Sequence, residues 1–414
     1  MSITPEEIRA AREWMSSFGA DGGGGMARLL YTNAWLAVQN ALQEKFASLG
    51  MRTEFDAVGN LKGTLVGTDN ADHEDGAGAT IATGSHVDTV VRGGQLDGQL
   101  GIFGGYLAIK DLLEEHGLPK KNLAVFSIAE EEGSRFPTVF WGVKNLFGLQ
   151  SEEEVMNIED VDGIRFMDAM HQCGFDFAEG RPSLMDGVEA FIELHIEQGN
   201  TLEKEEKSVG VIGGIVGQRR YNITLKGEAN HAGTTLMKYR RDVVEAFARI
   251  VTESLAKAKA AGDPLVLTFG KVVVRPGTVN VVPGDILFTM DCRHTDKGTL
   301  AQFTEEIEAD MARIAGEMSM EIDIDRWMDE EPTPMDAGLI DLIEGACKED
   351  GLNYRMMHSG AGHDSQIIAK HVPAGMIFVP SIGGISHNPA EDTRTEDLAQ
   401  GIEALKTVLY KLAY

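Results

Sequence analysis

The sequence predicts an α/β protein with a mostly parallel sheet, interrupted by a smaller inserted α+β domain of ferredoxin-like type. Short apolar runs bounded by turns alternate with helical segments, which is typical of buried parallel strands connected by helices. Glycine is abundant (48 residues) and proline is scarce (12 residues), as many tight turns between regular elements require. Between residues 213 and 329 the pattern changes to polar–apolar alternation, which indicates half-exposed antiparallel strands.

This change of pattern predicts the domain organisation. We expect one discontinuous domain, residues 1–212 and 330–414, and an inserted domain at 213–329. The outer domain is expected to contain helices near 5–18 and 32–49, followed by strand 79–85, helix 101–117, strand 123–129, helix 140–148 and strand 188–196. The insert is expected to contain strands 219–229, 265–274, 285–294 and 321–327 with helices 241–261 and 299–317. After residue 335 helices and strands alternate again, up to a terminal helix from 396.

Composition excludes several classes of function. With 37 basic and 65 acidic residues the formal net charge is −28, which repels nucleic-acid phosphates and anionic lipid. No segment approaches the ~20 apolar residues of a membrane span, and MSITPEEIRAAREWMSS lacks the basic start and apolar core of a signal peptide. Three scattered cysteines give neither a disulfide framework nor a cysteine zinc site. We therefore expect a cytoplasmic protein with no nucleic-acid or membrane partner.

Residues that can bind metal follow the predicted strands of the outer domain. His86 follows the first of these strands, Asp97 lies in a glycine-flanked turn, Glu132 and His195 come at the ends of two further strands, and His387 follows a fourth. Each of these alone is more often a core, surface or turn residue than a ligand. Their coincidence at the carboxyl ends of strands, where open α/β sheets place their sites, favours a site for two divalent ions.

Two carboxylates beside these residues suggest further roles. Asp88 lies two residues after His86 on an extended segment, so it can reach back to the imidazole and fix its tautomer. Glu131 and Glu132 point to opposite sides of their segment, so one can bind metal while the other acts as a general base. Two ions ~3.5–4 Å apart are an arrangement used for hydrolysis.

These residues resemble the pattern of the dinuclear-metal amidohydrolase and aminoacylase-type peptidase family M20. The resemblance extends over essentially the whole chain. Within the family, the chain most specifically resembles the branch of N-carbamoyl-L-amino acid hydrolases, β-ureidopropionases and allantoate amidohydrolases. The motifs that carry it are GQRRY at 217–221, NHAGTT at 230–235, TVNVVPG at 278–284, DCRHT at 291–295, HSGAGHD at 358–364 and GISHNPAE at 384–391. One departure is Leu236, where relatives usually carry proline.

The resemblance implies roles for the candidate metal-binding residues. His86 and His195 would be terminal ligands of one and the other ion, with Glu132 and His387 completing the two sets and Asp97 bridging them. Which terminal ligand belongs to which ion is left open. Glu131 would deprotonate a water and later deliver a proton to the leaving nitrogen. The resemblance suggests manganese, although the ligand types alone admit zinc, cobalt or nickel as well.

The resemblance also implies residues that bind the substrate. Asn280 and Arg293 match the family's carboxylate-binding pair, and Gln218 and Gly362 match further contact positions. His231 would contact the reacting carbonyl in the partner subunit's site, so a homodimer is expected, with the insert acting as a lid and dimerisation domain.

The resemblance further implies metal-dependent hydrolysis of the ureido C–N bond of allantoate in purine nitrogen salvage, giving ureidoglycine (then ureidoglycolate), ammonia and carbon dioxide. Two alternatives stay open. One keeps the chemistry but takes an N-carbamoyl-L-amino acid or ureidoglycolate as substrate, and the other is a metal-binding protein without catalysis. Serine or cysteine nucleophile chemistry has no support, because no GxSxG motif is present. The glycine run at 22–25 is not a phosphate loop, because it lacks GxxxxGK[ST] and follows no strand.

Overall fold

The computed structural model describes residues 3–71, 77–177 and 183–414. The chain forms two compact units. The first contains Met1–Gly213, Met335–Met357 and Ala361–Tyr414, and the second contains Gly214–Pro334 together with His358–Gly360. The assignment of lid and dimerisation roles to the second unit stays a prediction.

The described residues form twelve α-helices and fifteen strands. The helices are α1 Pro5–Ser16, α2 Asn33–Ser48, α3 Gln99–His116, α4 Trp141–Leu146, α5 Glu152–Val155, α6 Phe166–Gln172, α7 Thr201–Lys204, α8 Val243–Ala261, α9 Lys297–Glu317, α10 Ala337–Glu349, α11 Ser365–Ile368 and α12 Thr395–Ala413. The strands are β1 Arg52–Phe55, β2 Leu61–Leu65, β3 Thr80–His86, β4 Asn122–Ile128, β5 Val188–Ile196, β6 Val209–Ile215, β7 Gly217–Lys226, β8 Asn230–His231, β9 Val266–Arg275, β10 Val281–Val282, β11 Asp285–His294, β12 Glu321–Glu330, β13 Thr333–Pro334, β14 Tyr354–Ser359 and β15 Ala374–Val379.

The large sheet has a parallel centre. Its order is β1-β2-β4-β3-β5-β15-β6-β13, and β14 also pairs with β6. The pairs β4–β3, β3–β5 and β5–β15 are parallel, as the apolar runs predict, whereas β1, β2 and β6 pair antiparallel on either side. All residues of β3, β4 and β15 are buried, and β4 and β15 are correspondingly apolar, whereas β3 (TIATGSH) also buries polar side chains. Parallel strands end at the same edge, so residues that follow β3, β4, β5 and β15 meet there.

Helices α3 and α12 pack against this sheet and against each other. Their buried side chains, such as Leu100, Ile109, Leu405 and Val408, join the strand residues in one hydrophobic cluster. This packed layer holds β3 and β5 rigid beneath the edge where the candidate ligands lie.

The second unit is an antiparallel sheet with two helices. Its strand order is β12-β7-β11-β9. Alternate residues of β7 and β11 are buried, including Tyr221, Ile223 and Phe288, and they form a cluster with residues of α8 and α9. The period-two pattern therefore predicted both the strands and the face that they bury. The side chains of Asp242 and Asp296 cap the N-termini of α8 and α9.

Several elements were absent from the sequence prediction. The hairpin β1–β2 is short, and β1 is half exposed. Strand β6 has the sequence VGVIGGI, and its glycines weaken the strand signal. Its burial comes from its neighbour β15, a tertiary contact that a local pattern does not record. In the part of the chain that the structure describes, no helix is both long and apolar enough to cross a membrane.

Candidate metal centre

His86 is the last residue of β3 and is held by Asp88. The imidazole Nδ1 lies 3.1 Å from Asp88 Oδ1, as the sequence predicted, and both residues are almost completely buried. Asp88 also accepts hydrogen bonds from the backbone N–H of Glu131 (3.0 Å) and of Glu132 (3.3 Å). One carboxylate therefore orients His86 and the peptides of both glutamates, which leaves His86 Nε2 directed at Asp97.

Asp97 lies at the centre of the group. Its Oδ1 is 3.4 Å from His86 Nε2 and 3.2 Å from His195 Nε2, while its Oδ2 is 3.1 Å from His387 Nε2. Burial alone would raise the pKa of Asp97, but hydrogen bonds from His195, His387 and His86 hold it well below its usual range. The carboxylate is therefore ionised and presents its two oxygens to two different sets of residues.

The candidate ligands form two triplets that share Asp97. One contains His86, Asp97 and His195, and the other contains Asp97, Glu132 and His387; within each, one potential ligand atom per residue lies within 4.8 Å of the others. Imidazole and carboxylate donors at this spacing suit borderline divalent ions. His86 and His195 face the same oxygen of Asp97, so the geometry groups them together, in contrast to their expected division between the ions.

The two triplets differ in exposure. His86 and His195 are buried, whereas the side chain of His387 is 47% exposed. Hydrogen bonds to Asp97 and Glu132 raise the pKa of His387 to about 10. The Glu132 contact is 3.2 Å between Oε1 and His387 Nε2. A cation can therefore reach the group from the His387 side, and this imidazole must lose its proton to bind it.

Glu131 lies beside both triplets without being part of their shared core. It forms a further group with His86 and Glu132 whose potential ligand atoms are within 4.8 Å of one another. Burial of its carboxyl group raises the pKa well above the usual range, and the neighbouring Glu132, Asp364 and Asp88 act in the same direction, while His86 opposes them. A carboxyl group with a raised pKa next to a cluster of cation ligands is suited to proton transfer at neutral pH.

Three residues that the sequence reasoning did not single out hold Asp97 in place. Gln198 Nε2 and Ser386 Oγ donate to Asp97 Oδ2 at 2.9 and 3.0 Å. Glu391 accepts from the backbone N–H of Leu96 (2.9 Å) and Asp97 (3.1 Å). Ser386 and Glu391 belong to the GISHNPAE motif, so that motif contained a signal for them. Gln198 follows β5 by two residues, and only the fold brings it to Asp97.

The backbone around the site is unusual at two of these residues. His387 and Gln198 both have positive φ, 54° and 58°, which non-glycine residues adopt rarely and at a cost. Both direct a side chain at Asp97 Oδ2. Two of the seven non-glycine residues with positive φ among the described residues thus hold side chains against the shared carboxylate.

A third buried triplet, Glu193, His195 and His363, is less suited to a cation. Glu193 already accepts from Ser85 Oγ at 2.7 Å and from Ser365 Oγ at 2.6 Å. The ring of His363 lies edge-on against His195, with centroids 4.5 Å apart, and burial lowers its pKa well below the usual range. His363, to which the sequence assigned no chemistry, therefore packs as a neutral ring behind His195.

In the second unit, Gln218 and Arg293 lie directly opposite each other on β7 and β11. Asp291 holds the Arg293 guanidinium bidentately, Nε–Oδ1 at 2.9 Å and Nη2–Oδ2 at 3.0 Å, while Nη1 donates to the Gly360 carbonyl at 2.6 Å. Gln218 Nε2 donates to Glu330 at 2.7 Å, and its buried Oε1 has no partner among the described residues. Arginine has five N–H donors, so donors on Arg293 remain for an anionic ligand.

His231 and Asn280 also lie close together in the second unit. β8 pairs with β10, and the Asn280 carbonyl accepts from the backbone N–H of Ala232 at 3.0 Å. Both residues are exposed, and His231 Nδ1 accepts from Gly233 N–H at 3.0 Å. Gly362, in the first unit, lies against Phe140, where an added Cβ would be 3.0 Å from the ring. Four of the predicted substrate residues thus form two adjacent pairs in the second unit, Gln218–Arg293 and His231–Asn280. The fifth, Gly362, lies in the first unit.

Comparison with known proteins agrees with this geometry. The model of peptidase family M20/M25/M40 matches residues 82–411. The chain is 54% identical to allantoate amidohydrolase of Escherichia coli K12 over 409 residues, covering 99% of this chain and 98% of that one. It is 43% identical to allantoate amidohydrolase of Bacillus subtilis, covering 97% and 96%.

Solved structures give the same result. A hydantoinase/carbamoylase-family amidase from Burkholderia multivorans matches with a TM-score of 0.92 and 31% identity, covering 99% of this chain and 98% of that one. The α/β fold and the Asp97-centred ligand group are thus accompanied by a match to one family over most of the chain. The chain belongs to peptidase family M20/M25/M40.

Proposed function

We propose that this chain hydrolyses the ureido C–N bond of allantoate with the help of two divalent metal ions. One water is consumed, and ureidoglycine, ammonia and carbon dioxide are formed. The observation that carries the proposal is the Asp97 carboxylate shared between two ligand triplets beside Glu131. The identity to two allantoate amidohydrolases supports allantoate as the substrate.

The residues present fit two ions. Asp97 Oδ1 with His86 and His195 would hold one, and Asp97 Oδ2 with Glu132 and His387 would hold the other. When bound, such ions lower the pKa of a water and polarise a carbonyl. We propose manganese as the metal, on the resemblance to this branch of the family, because the donor set by itself also accepts zinc, cobalt or nickel.

Glu131 is proposed as the general base. Its raised pKa lets it take a proton from the attacking water and return that proton to the leaving nitrogen, so that the carboxyl group ends in its starting state. Asp88 accepts hydrogen bonds from the backbone N–H groups of Glu131 and Glu132 and so holds both peptides. The two carboxyl groups nevertheless converge with His86, with potential ligand atoms within 4.8 Å of one another, so the expectation that they point to opposite sides was wrong. The proposed roles differ because Glu132 contacts His387 and belongs to the triplet with Asp97, whereas Glu131 does not belong to that triplet.

The substrate carboxylate is proposed to bind Arg293 and Asn280. Arg293 offers a planar cation that Asp291 holds in one orientation, and a charge-assisted pair with a carboxylate contributes about 1.5–3 kcal/mol. Local positive charge is needed because the chain carries a net charge of −28. Gln218, with an unpartnered Oε1, and Gly362 are proposed as further contacts.

His231 is proposed to contact the reacting carbonyl of a partner subunit's site, in a cytoplasmic homodimer whose inserted domain acts as the lid. Its exposure leaves the imidazole Nε2 available for this contact, while Nδ1 is occupied by Gly233.

Ammonia release tests the proposal. The purified chain, loaded with Mn²⁺, is assayed on allantoate, N-carbamoyl-L-methionine and ureidoglycolate, with chelator-treated chain as the control. We expect allantoate to give the highest kcat/KM and the chelated chain to be inactive until metal is restored. If kcat/KM for either other compound is tenfold or more above that for allantoate, that compound is the substrate and the proposal is wrong. Turnover without metal would overturn the mechanism.

A further inference from the structure

Arg28 is a fully buried arginine close to the candidate metal centre. It lies between the glycine run at 22–25 and the start of α2, and its side chain has no exposed surface. Burying a guanidinium is costly unless its donors are satisfied. The contacts of Arg28 therefore indicate what this cation stabilises.

The guanidinium binds backbone carbonyl groups of two segments. Nη1 donates to the Val87 carbonyl at 3.1 Å, Nε donates to the Phe18 carbonyl at 3.0 Å, and Nη2 donates to the Met15 and Phe18 carbonyls. The fork thus ties the end of α1 and the turn after it to the segment that follows β3.

The main chain of Arg28 binds the same segment a second time. Its N–H donates to Thr89 Oγ1 at 2.9 Å, and its carbonyl accepts from the Thr89 N–H at 3.1 Å. Val87 and Thr89 are both buried. Residues 87–89 are therefore held by the side chain of Arg28 at one end and by its backbone at the other.

This segment carries the residue that orients the metal ligands. Asp88 lies between the two points that Arg28 holds, and it binds His86 Nδ1 and the backbone N–H groups of Glu131 and Glu132. A displacement of residues 87–89 by a few tenths of an ångström would therefore move His86 and Glu132, one candidate ligand from each triplet, at the same time.

We propose that Arg28 is a positioning residue for the metal centre, which fixes residues 87–89 and through them the orientation of His86, Glu131 and Glu132. The proposal rests on the metal centre of the proposed function and adds to it a residue that touches neither metal nor substrate. Arginine is needed because its planar fork donates from three nitrogens to carbonyl groups of two segments, whereas the three donors of a lysine ammonium all start from a single atom.

The test is the Mn²⁺ affinity of folded Arg28→Lys, measured by titration calorimetry on chelator-treated protein. The substitution keeps the positive charge and removes the fork. We expect the Kd for Mn²⁺ to rise about 10–100-fold, the usual effect of losing a residue that orients ligands. Thr89→Val, which is isosteric and removes only the hydroxyl acceptor of the Arg28 N–H, is expected to raise the Kd in the same direction by a smaller factor.

Lys406→Met is the matched control. Lys406 is also a buried cation, paired with Asp111 at 2.5 Å and Glu115 at 2.7 Å between α12 and α3, and neither partner belongs to residues 87–89. We expect it to lower the denaturation midpoint of the chelator-treated protein and to leave the Mn²⁺ Kd within twofold of wild type.

The outcomes separate the two proposals. A wild-type Kd in both Arg28→Lys and Thr89→Val would overturn the positioning role, and so would an equal rise in Lys406→Met, because the effect would then follow general stability. A wild-type chain that binds no divalent metal would overturn the metal centre itself. Failure of the wild-type chain to hydrolyse allantoate while binding Mn²⁺ would overturn the proposed substrate and leave the Arg28 test valid.

Discussion

Replacing Gly98 with alanine adds a single carbon atom, and we expect that atom to displace the His86 ligand of the metal centre. Gly98 follows Asp97 and precedes α3, with φ +68°, and its backbone nitrogen lies 3.1 Å from His195 Nε2. A Cβ there would lie 2.5 Å from both Cε1 and the backbone carbonyl oxygen of His86. These atoms cannot both move away, because His86 is the last residue of a buried strand.

The magnitude has two parts. Gly98 has φ +68° and ψ −45°, outside the left-handed helical well, so a non-glycine residue there costs at least the roughly 1–2 kcal/mol of that well. Forcing an extra carbon into a packed site costs roughly a further 1–3 kcal/mol, because neighbouring atoms must shift. We therefore expect Gly98→Ala to lower the free energy of unfolding by roughly 2–5 kcal/mol and to weaken Mn²⁺ binding by about tenfold or more, since the His86 ring is displaced.

Gly351→Ala is the control for adding a Cβ at positive φ where it meets no neighbouring atom. Gly351 has nearly the same φ, +66°, and an added Cβ would meet no described heavy atom within 4 Å. Denaturant unfolding and Mn²⁺ titration on both variants give the comparison. The reasoning fails if the two variants lose equal stability and both retain the wild-type Kd for Mn²⁺.

Three further predictions concern the base, the exposed ligand and a loop. Glu131→Gln should retain two metal ions by elemental analysis but lose about 10²–10⁴-fold in kcat, because it removes the group that carries the proton; full turnover with metal bound would favour a different base. Contacts with Asp97 and Glu132 raise the pKa of His387 to about 10, so metal must displace a proton below that pH, and Mn²⁺ affinity should rise with pH from 6 to 9 by about tenfold per unit for this one group. Calorimetry in buffers of different ionisation enthalpy checks this, and a pH-independent Kd without proton release would contradict it. Leu236→Pro should stabilise the chain by about 0.4–1 kcal/mol in denaturant unfolding, because Leu236 already has φ −63°; a loss of stability would show that the loop does not accept proline.

Much of the fold could be predicted because its signals are local. The apolar runs of β3, β4 and β5 reflect burial on both faces, and the alternation of β7 and β11 reflects burial on one. Strand β6 was missed for the converse reason, since it owes its burial to β15, a strand more than 150 residues further along the chain. Local patterns record which face is buried but not which segment covers it.

The sequence by itself determined the chemistry that is available: three imidazoles and two carboxylates that follow strands, with a second glutamate beside one of them. It could do so because each residue type shows whether it can bind metal, and the local apolar runs show where the strands end. Only the tertiary structure decided which atoms meet, namely that His86 and His195 share Asp97 Oδ1 while His387 faces Oδ2. It also decided that Arg28 binds residues 87–89, which lie about 60 positions further along the chain. Such contacts depend on how strands and turns pack in three dimensions, and no spacing along the chain encodes them.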